Sequence, residues 1–320
     1  MRRYVLSRLG VAVVLLVAVT MVIFAILRLA PGGPLDAYAP PSAPLTHAAR
    51  LALSKALGLN HPLPIQYLDW VWQAVHGNLG LSAAEDFVPV STLIATHVGP
   101  TLALMGTGVA IGIVLGVGFG VLSAQYQYGV TDFGLTLFGF LGLAMPAFLA
   151  GLLGLYVFSI QLGWFPSGGD QTPGQPATVG QFLYHLILPA LILSFNQIAG
   201  FMRYTRSALL EVRHEDYVLT ATAKGASTFR VVMRHELPNA LLPVVTMVGA
   251  SIPNLIGGAV FLETIFDWPG MGQLFVTAVV ARDYATIMGM TLVVAIVVLV
   301  GNLVTDVAYS AIDPRIRYAK

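Results

Sequence analysis

The chain contains few side chains that could form a catalytic or metal-binding site. It has no cysteine, which excludes disulfides and thiolate metal sites. His235 and Glu236 begin a string like the H-E-x-x-H motif of zinc proteases, but Asn239 occupies the position of the second histidine and Pro238 interrupts the helix. The phosphate-binding pattern G-x-x-x-x-G-K-[ST] and the nucleophile pattern G-x-S-x-G are both absent. We therefore expect no enzymatic activity, no metal and no cofactor in this chain.

Polar side chains inside apolar stretches form a second class of candidates. Asn196, Gln197 and Asn254 fall within predicted membrane spans, where a buried polar group is expensive and therefore a functional candidate. They either line a translocation path or bond helices to one another, and the sequence leaves both roles open. Asn302 and Asp306 stand one helical turn apart near the end of the last span, where a structural pairing of Asp306 with a cytoplasmic arginine is favoured. No series of carboxylates runs through the spans, which argues against a proton-driven carrier.

A stripe of glycines recurs at four-residue intervals, at Gly108, Gly112, Gly116 and Gly120. In a helix these positions form one face without side chains, where a second helix can approach closely. We interpret the stripe as a packing surface rather than as the lining of a pore.

Composition identifies the class of protein that holds these residues. The chain is 57% hydrophobic and 10% charged, and its mean hydropathy is +0.80. A soluble domain typically carries roughly 25% charged residues. The sequence therefore predicts an all-α protein that crosses the lipid bilayer several times. A net charge of +1 gives no indication of a nucleic-acid partner.

Six apolar stretches are each long enough to cross roughly 30 Å of hydrocarbon as a helix. They cover about Tyr4–Leu29, Pro100–Ala124, Phe133–Leu162, Phe182–Phe201, Leu242–Leu262 and Ala285–Ala311. The first is expected to be retained rather than cleaved as a signal peptide, because its apolar run is too long and no small-residue cleavage site follows. Pro146 is expected to kink the third.

This division predicts four regions. Residues 1–30 hold the first span, and residues 31–98 form an extracytoplasmic loop with short helices at about Thr46–Leu57 and Ile65–Val75. Residues 99–311 form the transmembrane core, which includes a polar loop at 203–241 and an extramembrane stretch at Glu263–Tyr284. Residues 312–320 form a tail.

The basic residues predict the orientation of this topology. Twelve of the 16 lysines and arginines share the side of the membrane that holds both termini and the polar loop. By the positive-inside rule, both termini and this loop are cytoplasmic. These residues are Arg2, Arg3, Arg8, Arg203, Arg206, Arg213, Lys224, Arg230, Arg234, Arg315, Arg317 and Lys320.

The polar stretch Arg203–Pro243 cannot lie in hydrocarbon and must meet water or a soluble partner. Its alanine, leucine and threonine residues after Asp216 favour a short helix, and Gly225 suits the left-handed position that ends such a helix. Ser227 can begin a second helix, which Pro238 is expected to stop. The stretch is therefore predicted to form a compact helix–turn–helix.

Part of this stretch resembles the cytoplasmic EAA loop of ABC importer permeases. In that pattern E-A-A is followed by three residues, a glycine, nine residues, an apolar residue, any residue and L-P. Here Ala221, Gly225, Leu237 and Pro238 fall on the spacing.

The chain also departs from that pattern. Leu219 stands where the glutamate would be, Thr220 replaces the first alanine and His235 replaces the apolar residue. The loss of the glutamate removes a possible salt bridge to an ATPase. The surrounding letters DYVLTATAKGAS, with WPGMG and RDY further on, are similar to the dipeptide/oligopeptide/nickel permeases, and the resemblance runs over nearly the whole chain.

This resemblance implies a type I ABC importer permease fold in a bacterial or archaeal cytoplasmic membrane. It implies as partners a second related permease subunit, two cytoplasmic ATPases that hydrolyse the ATP, and an extracytoplasmic solute-binding protein. It implies a short peptide as substrate, with nickel or another small solute as an alternative. The residues that would couple the chain to an ATPase are Asp216, Tyr217, Leu219, Ala221, Ala223, Lys224, Gly225, Leu237 and Pro238.

Two other function classes are weighed against this one. A stand-alone secondary transporter would need internal repeats and ionisable groups near the middle of the membrane, and neither is evident. A membrane-embedded protease would need a nucleophile and a base, which the chain lacks.

Overall fold

The computed structural model describes residues 2–29, 33, 35, 46–241, 244, 247–248 and 252–312, and the side chains of these residues apart from 2–7, 252–254 and 304–312. Within this part of the chain every regular element is a helix, and one isolated bridge pairs Leu81 with Pro89. The predicted all-α class is confirmed.

Thirteen helices are described in these residues. They are α1 (Arg2–Leu29), α2 (His47–Ala56), α3 (Leu63–Val75), α4 (Val90–Gln125), α5 (Val130–Ala144), α6 (Ala147–Gly154), α7 (Val179–Val212), α8 (Asp216–Ala223), α9 (Thr228–Val231), α10 (Leu237–Ala240), α11 (Ile252–Ile265), α12 (Met271–Val280) and α13 (Tyr284–Ile312). Two stretches have the wider turn of a π-helix: Leu155–Gln161 continues α6, and Val232–Glu236 joins α9 to α10.

Four of these helices contain stretches long and apolar enough to cross a membrane: residues 8–29, 90–125, 179–212 and 284–303. They correspond to the predicted first, second, fourth and sixth spans. The predicted fifth span, Leu242–Leu262, lies partly outside the described residues, and its described end belongs to α11.

The predicted third span, Phe133–Leu162, is broken at Pro146, where the sequence predicted a kink, and it forms two helices rather than one. Its residues form α5 and α6, which are bent by 108° at the break between them. Met145 and Pro146 are both extended, with ψ angles of 120° and 141°. A proline disfavours the helical conformation in the residue before it, so α5 ends and a new helix begins after Pro146. The pair is therefore either one broken span or a segment that enters and leaves on one side.

Two helices extend beyond the spans predicted for them. Helix α4 begins at Val90 rather than Pro100, because the side chains of Thr96 and His97 bond to the carbonyl of Leu93, at 2.9 and 2.7 Å. These polar residues suggested a loop but are satisfied within the helix. Helix α7 continues to Val212, eleven residues past the predicted end at Phe201, because one face of the extension stays buried.

Residues 1–100 and 270–303 form one compact unit. Its α3 packs on α1 through Tyr67, which is buried against Phe24 and whose hydroxyl lies 2.9 Å from the Thr20 hydroxyl. Thr46 caps α2 by accepting from the amide of Ala49, as predicted. A second apolar cluster joins the start of α4 to α12 and α13 around Val90.

Residues 101–269 form most of the second compact unit. Its core packs α4, α7 and α11 around Leu104, Leu193 and Leu262, and buries Trp268 completely. The glycine stripe of α4 faces α7: a Cβ added at Gly112 would stand 2.7 Å from the Cβ of Gln197. The interpretation of the stripe as a packing surface is confirmed, and it holds α4 close to the helix that leads into the polar segment.

Candidate functional site

The polar segment between α7 and α11 folds into the two short helices predicted for it. We call residues 216–240 the coupling segment. Helix α8 ends at Ala223, and Gly225, the second residue after it, has a φ of +79°, the left-handed conformation that glycine adopts at low cost. The amide of Gly225 donates to Thr222 and that of Ala226 donates to Ala221, at 2.9 and 3.2 Å. This pair of bonds is the Schellman motif, so the predicted role of Gly225 is confirmed.

The second half of the coupling segment differs from the prediction at Pro238. Pro238 does not stop the helix, because α10 runs from Leu237 to Ala240. The π-helical turn before it widens the backbone where the missing amide and the proline ring would disturb an α-helix. Ser227 is the N-cap residue of α9, as predicted, but its side chain makes no capping hydrogen bond.

The coupling segment has a buried base. Val218, Val231, Val232 and Ala240 are all at least 95% buried, and Ala240 packs with Leu209 of α7 and Ala124 of α4. The burial of these aliphatic side chains fixes both short helices to the ends of two longer ones.

The coupling segment also has exposed apolar side chains. We call Tyr217, Leu219, Phe229 and Met233 the apolar outer face; their exposed fractions are 43, 54, 76 and 47%. Single exposed apolar residues are common, but four of them on a segment of 25 residues mark a surface suited to a partner. Two exposed arginines, Arg230 and Arg234, belong to the same segment.

All nine predicted coupling residues lie in this segment. Ala221 and Leu237 are partly buried, and the other seven are exposed. Partial burial, together with the nearby carboxylate of Glu215, raises the pKa of Tyr217, while a hydrogen bond with Asn239 opposes that shift. The Tyr217 phenol therefore stays neutral at physiological pH.

Of the amides predicted as pathway candidates, Asn196 and Gln197 have described side chains, and these make different contacts. Asn196 donates to the carbonyl of Gly142 at 3.1 Å, so it bonds α7 to α5. Gln197 is 9% exposed and packs against Gly112. The side chains of Asn254 and Asp306 lie outside the described ones, and Asn302 is exposed.

Two ion pairs near the coupling segment were not predicted. Arg206 of α7 holds Asp132 of α5 with two hydrogen bonds, Nε to Oδ1 and Nη2 to Oδ2, both 2.9 Å. Arg213, just past α7, lies 3.4 Å from Glu236 of the coupling segment. The sequence feature that could have indicated these ion pairs is the seven-residue spacing of the two arginines, which places them on one helix face.

Two further buried carboxylates also escaped prediction. Glu263 is fully buried and accepts a 2.7 Å hydrogen bond from the hydroxyl of Thr101. Asp283 is buried at the start of α13 and accepts from Ser82 and Thr286. The sequence places both in the predicted extramembrane stretch Glu263–Tyr284 and indicates no role for either.

Comparison with known proteins gives the family. Residues 116–318 match the family described as "Binding-protein-dependent transport system inner membrane component", and residues 1–89 match its N-terminal region. The chain belongs to this family. It is therefore a multi-pass inner-membrane permease of an ABC importer, and the resemblance drawn from the EAA-like loop is confirmed at this level.

Curated relatives match this permease over nearly its full length. A candidate peptide permease of Brucella ovis is 50% identical, over 99% of both chains. The oligopeptide transport system permease AppB of Bacillus subtilis is 42% identical, over 99% of this chain and 100% of its own. The dipeptide transport system permease DppB of Escherichia coli K12 is 33% identical, over the whole of both chains.

A solved structure supports the fold. The inward-facing MetNI methionine ABC transporter matches with a TM-score of 0.55 and 19% identity, over 69% of this chain and 96% of that one. The permease thus shares the helical architecture of an ABC importer permease subunit.

Proposed function

We propose that this permease forms half of the translocation pathway of an ATP-driven importer of short peptides. The other half comes from a second related permease subunit, and an extracytoplasmic solute-binding protein delivers the peptide. Two cytoplasmic ATPases supply the energy, and the coupling segment binds one of them. Both termini lie on the same cytoplasmic side as the coupling segment.

The observation that carries this proposal is the construction of the coupling segment. Its base is buried against α4 and α7, while its apolar outer face is exposed. A segment fastened to two long apolar helices on one side and open on the other is suited to transmit the movement of a partner to the membrane. Rigid-body tilting of the attached helices would then switch the pathway between inward-facing and outward-facing states.

The peptide substrate is supported by the three relatives, each of which is named for peptides, dipeptides or oligopeptides. Within the pathway, Gln197 and Asn254 remain our candidates for contact with the passing peptide. The hydrogen bond of Asn196 to Gly142 favours a role in joining helices instead.

The test is to purify the tagged permease from its native membrane in a mild detergent and to identify its partners by intact mass. We expect a second permease and two ATP-binding proteins. The assembled complex in liposomes, with its binding protein, should take up radiolabelled trialanine only when ATP is supplied. A permease that is purified alone and moves trialanine without ATP would refute the proposal and support a secondary carrier.

A further inference from the structure

The polar end of α7 carries two arginines that attach it to three other elements. Arg206 and Arg213 are seven residues apart, two helical turns, and so project from one face. Arg206 binds Asp132 at the start of α5. Arg213 contacts Glu236 in the coupling segment and donates from Nη1 to the carbonyl of Ala124, at 3.2 Å.

The last turn of α4 takes part in both contacts. The hydroxyl of Ser123 donates to Asp132, and the next residue supplies the carbonyl that Arg213 binds. The ends of α4, α5 and α7 and the coupling segment therefore meet at two neighbouring ion pairs. Besides the buried apolar base, this junction is therefore a second attachment of the coupling segment to the long helices.

The two ion pairs are built differently. Both carboxylate oxygens of Asp132 have hydrogen-bond donors. Besides the two bonds from Arg206, the carboxylate accepts from the Ser123 hydroxyl and, at 2.9 Å, from the backbone amide of Tyr128. Such a bidentate, fully bonded pair has one favoured geometry. It is suited to hold α4, α5 and α7 together as one body.

Glu236, in contrast, is incompletely bonded. It is 3% exposed, yet its only described hydrogen bond is the 3.4 Å contact from Arg213 to Oε1. Its other oxygen, Oε2, is buried and has no hydrogen-bond partner among the described residues. A buried carboxylate oxygen without a partner is costly, so a second arrangement that pairs it competes with this one.

We propose that Arg213 and Glu236 form a movable joint between the coupling segment and the transmembrane helices, while Asp132 and Arg206 form a fixed joint. This inference rests on the proposed function, because it concerns how ATPase movement reaches the pathway. Arg213 and Glu236 are positioning residues: they touch no substrate. When the ATPases close, the joint rearranges so that both oxygens of Glu236 are paired, and α4 and α7 follow the coupling segment.

The test measures how many trialanine molecules are taken up per ATP hydrolysed, in liposomes that contain the permease with its partner subunits and binding protein. Glu236→Gln and Arg213→Gln should lower this ratio by roughly tenfold, a typical coupling effect between sites. ATP hydrolysis and subunit association should persist. Arg213→Lys, which retains the charge, should keep most of the ratio.

Arg203→Gln is the matched control, because Arg203 lies on the same helix, is exposed and has only the ring of Tyr204 as a described contact, at 5.5 Å. It should leave the ratio unchanged. The proposal is overturned if Glu236→Gln and Arg213→Gln keep the normal ratio, or if both prevent assembly altogether, since the pair would then be only structural. Failure of the proposed function is distinct: the unmodified complex would show no ATP-dependent uptake.

Discussion

Thr205 of α7 lies directly against the backbone of Gly120 in α4. A methyl group added at Gly120 would stand 2.6 Å from the Cβ of Thr205 and 2.8 Å from the carbonyl oxygen of Met202. Gly118, two residues earlier on the same helix, has nothing within 4 Å of such a methyl group. The two glycines therefore differ only in whether the neighbouring helix leaves room for a side chain.

Gly120→Ala should destabilise the permease, whereas Gly118→Ala should not. Overpacking a tight contact costs about 1–3 kcal/mol, and the gain in helix propensity from glycine to alanine offsets about 1 kcal/mol of it. Thermal unfolding of the two variants in one detergent provides the comparison. Equal midpoints would mean that α4 and α7 do not meet at this stripe.

A second prediction concerns the turn of the coupling segment. Because nothing lies within 4 Å of a Cβ at Gly225, a substitution there is penalised only through the backbone. Gly225→Val should reduce ATP-dependent trialanine uptake, since holding an ordinary residue in the left-handed region costs roughly 1–2 kcal/mol.

Gly225→Asn is the matched control for that experiment, because asparagine tolerates the left-handed region. It should retain most of the uptake. Normal uptake by the valine variant, with normal amounts of protein in the membrane, would show that the conformation of this turn is not needed for transport.

Features that follow local rules were predictable from the sequence. The left-handed end of α8 at Gly225, the cap of α2 at Thr46 and the glycine stripe each depend on a few residues within one helix. The family resemblance likewise rests on short motifs, the spacing of residues in the coupling segment and the letters WPGMG and RDY further on.

Features that depend on distant contacts were not predictable. Asp132 and Arg206 are 74 residues apart, and neither stands out in a chain read without its fold. Pro146 predicted a kink, but the proline alone does not predict the size of the bend, which is 108°. For the same reason, the burial of Thr205 and Leu209 carried α7 past its predicted end.

A third prediction addresses the apolar outer face. Leu219→Ser and Phe229→Ser should lower the amount of ATPase that is purified with the permease, because each removes exposed apolar area that the partner would bury. Raising the salt concentration should weaken the unmodified complex less than these substitutions do, because Leu219 stands where the family pattern has a glutamate and salt screens ion pairs rather than apolar contacts.

The control for this prediction is Leu57→Ser, which changes a leucine of comparable exposure, 41%, outside the coupling segment. It should retain the ATPases. Dissociation of the unmodified complex at high salt, with no effect of the serine substitutions, would contradict an apolar interface.

The last prediction concerns Asp283, which fastens the loop before α4. Its Oδ2 accepts from the hydroxyls of Ser82 and Thr286, at 2.5 and 2.8 Å, and from the amide of Ala84, at 3.4 Å. In Asp283→Asn, the side-chain NH2 group can replace the oxygen that accepts these hydrogen bonds, so a donor would face other donors. A buried hydrogen-bonding group left without its partner destabilises the folded protein by about 1–3 kcal/mol. Amide hydrogen exchange of residues 82–89 should accelerate in this variant.

The control is Asp86→Asn in the same loop. Asp86 is exposed and has a left-handed backbone, which asparagine also tolerates, so this variant should leave the exchange rate unchanged. If both variants exchange like the unmodified protein, Asp283 is not what holds the loop.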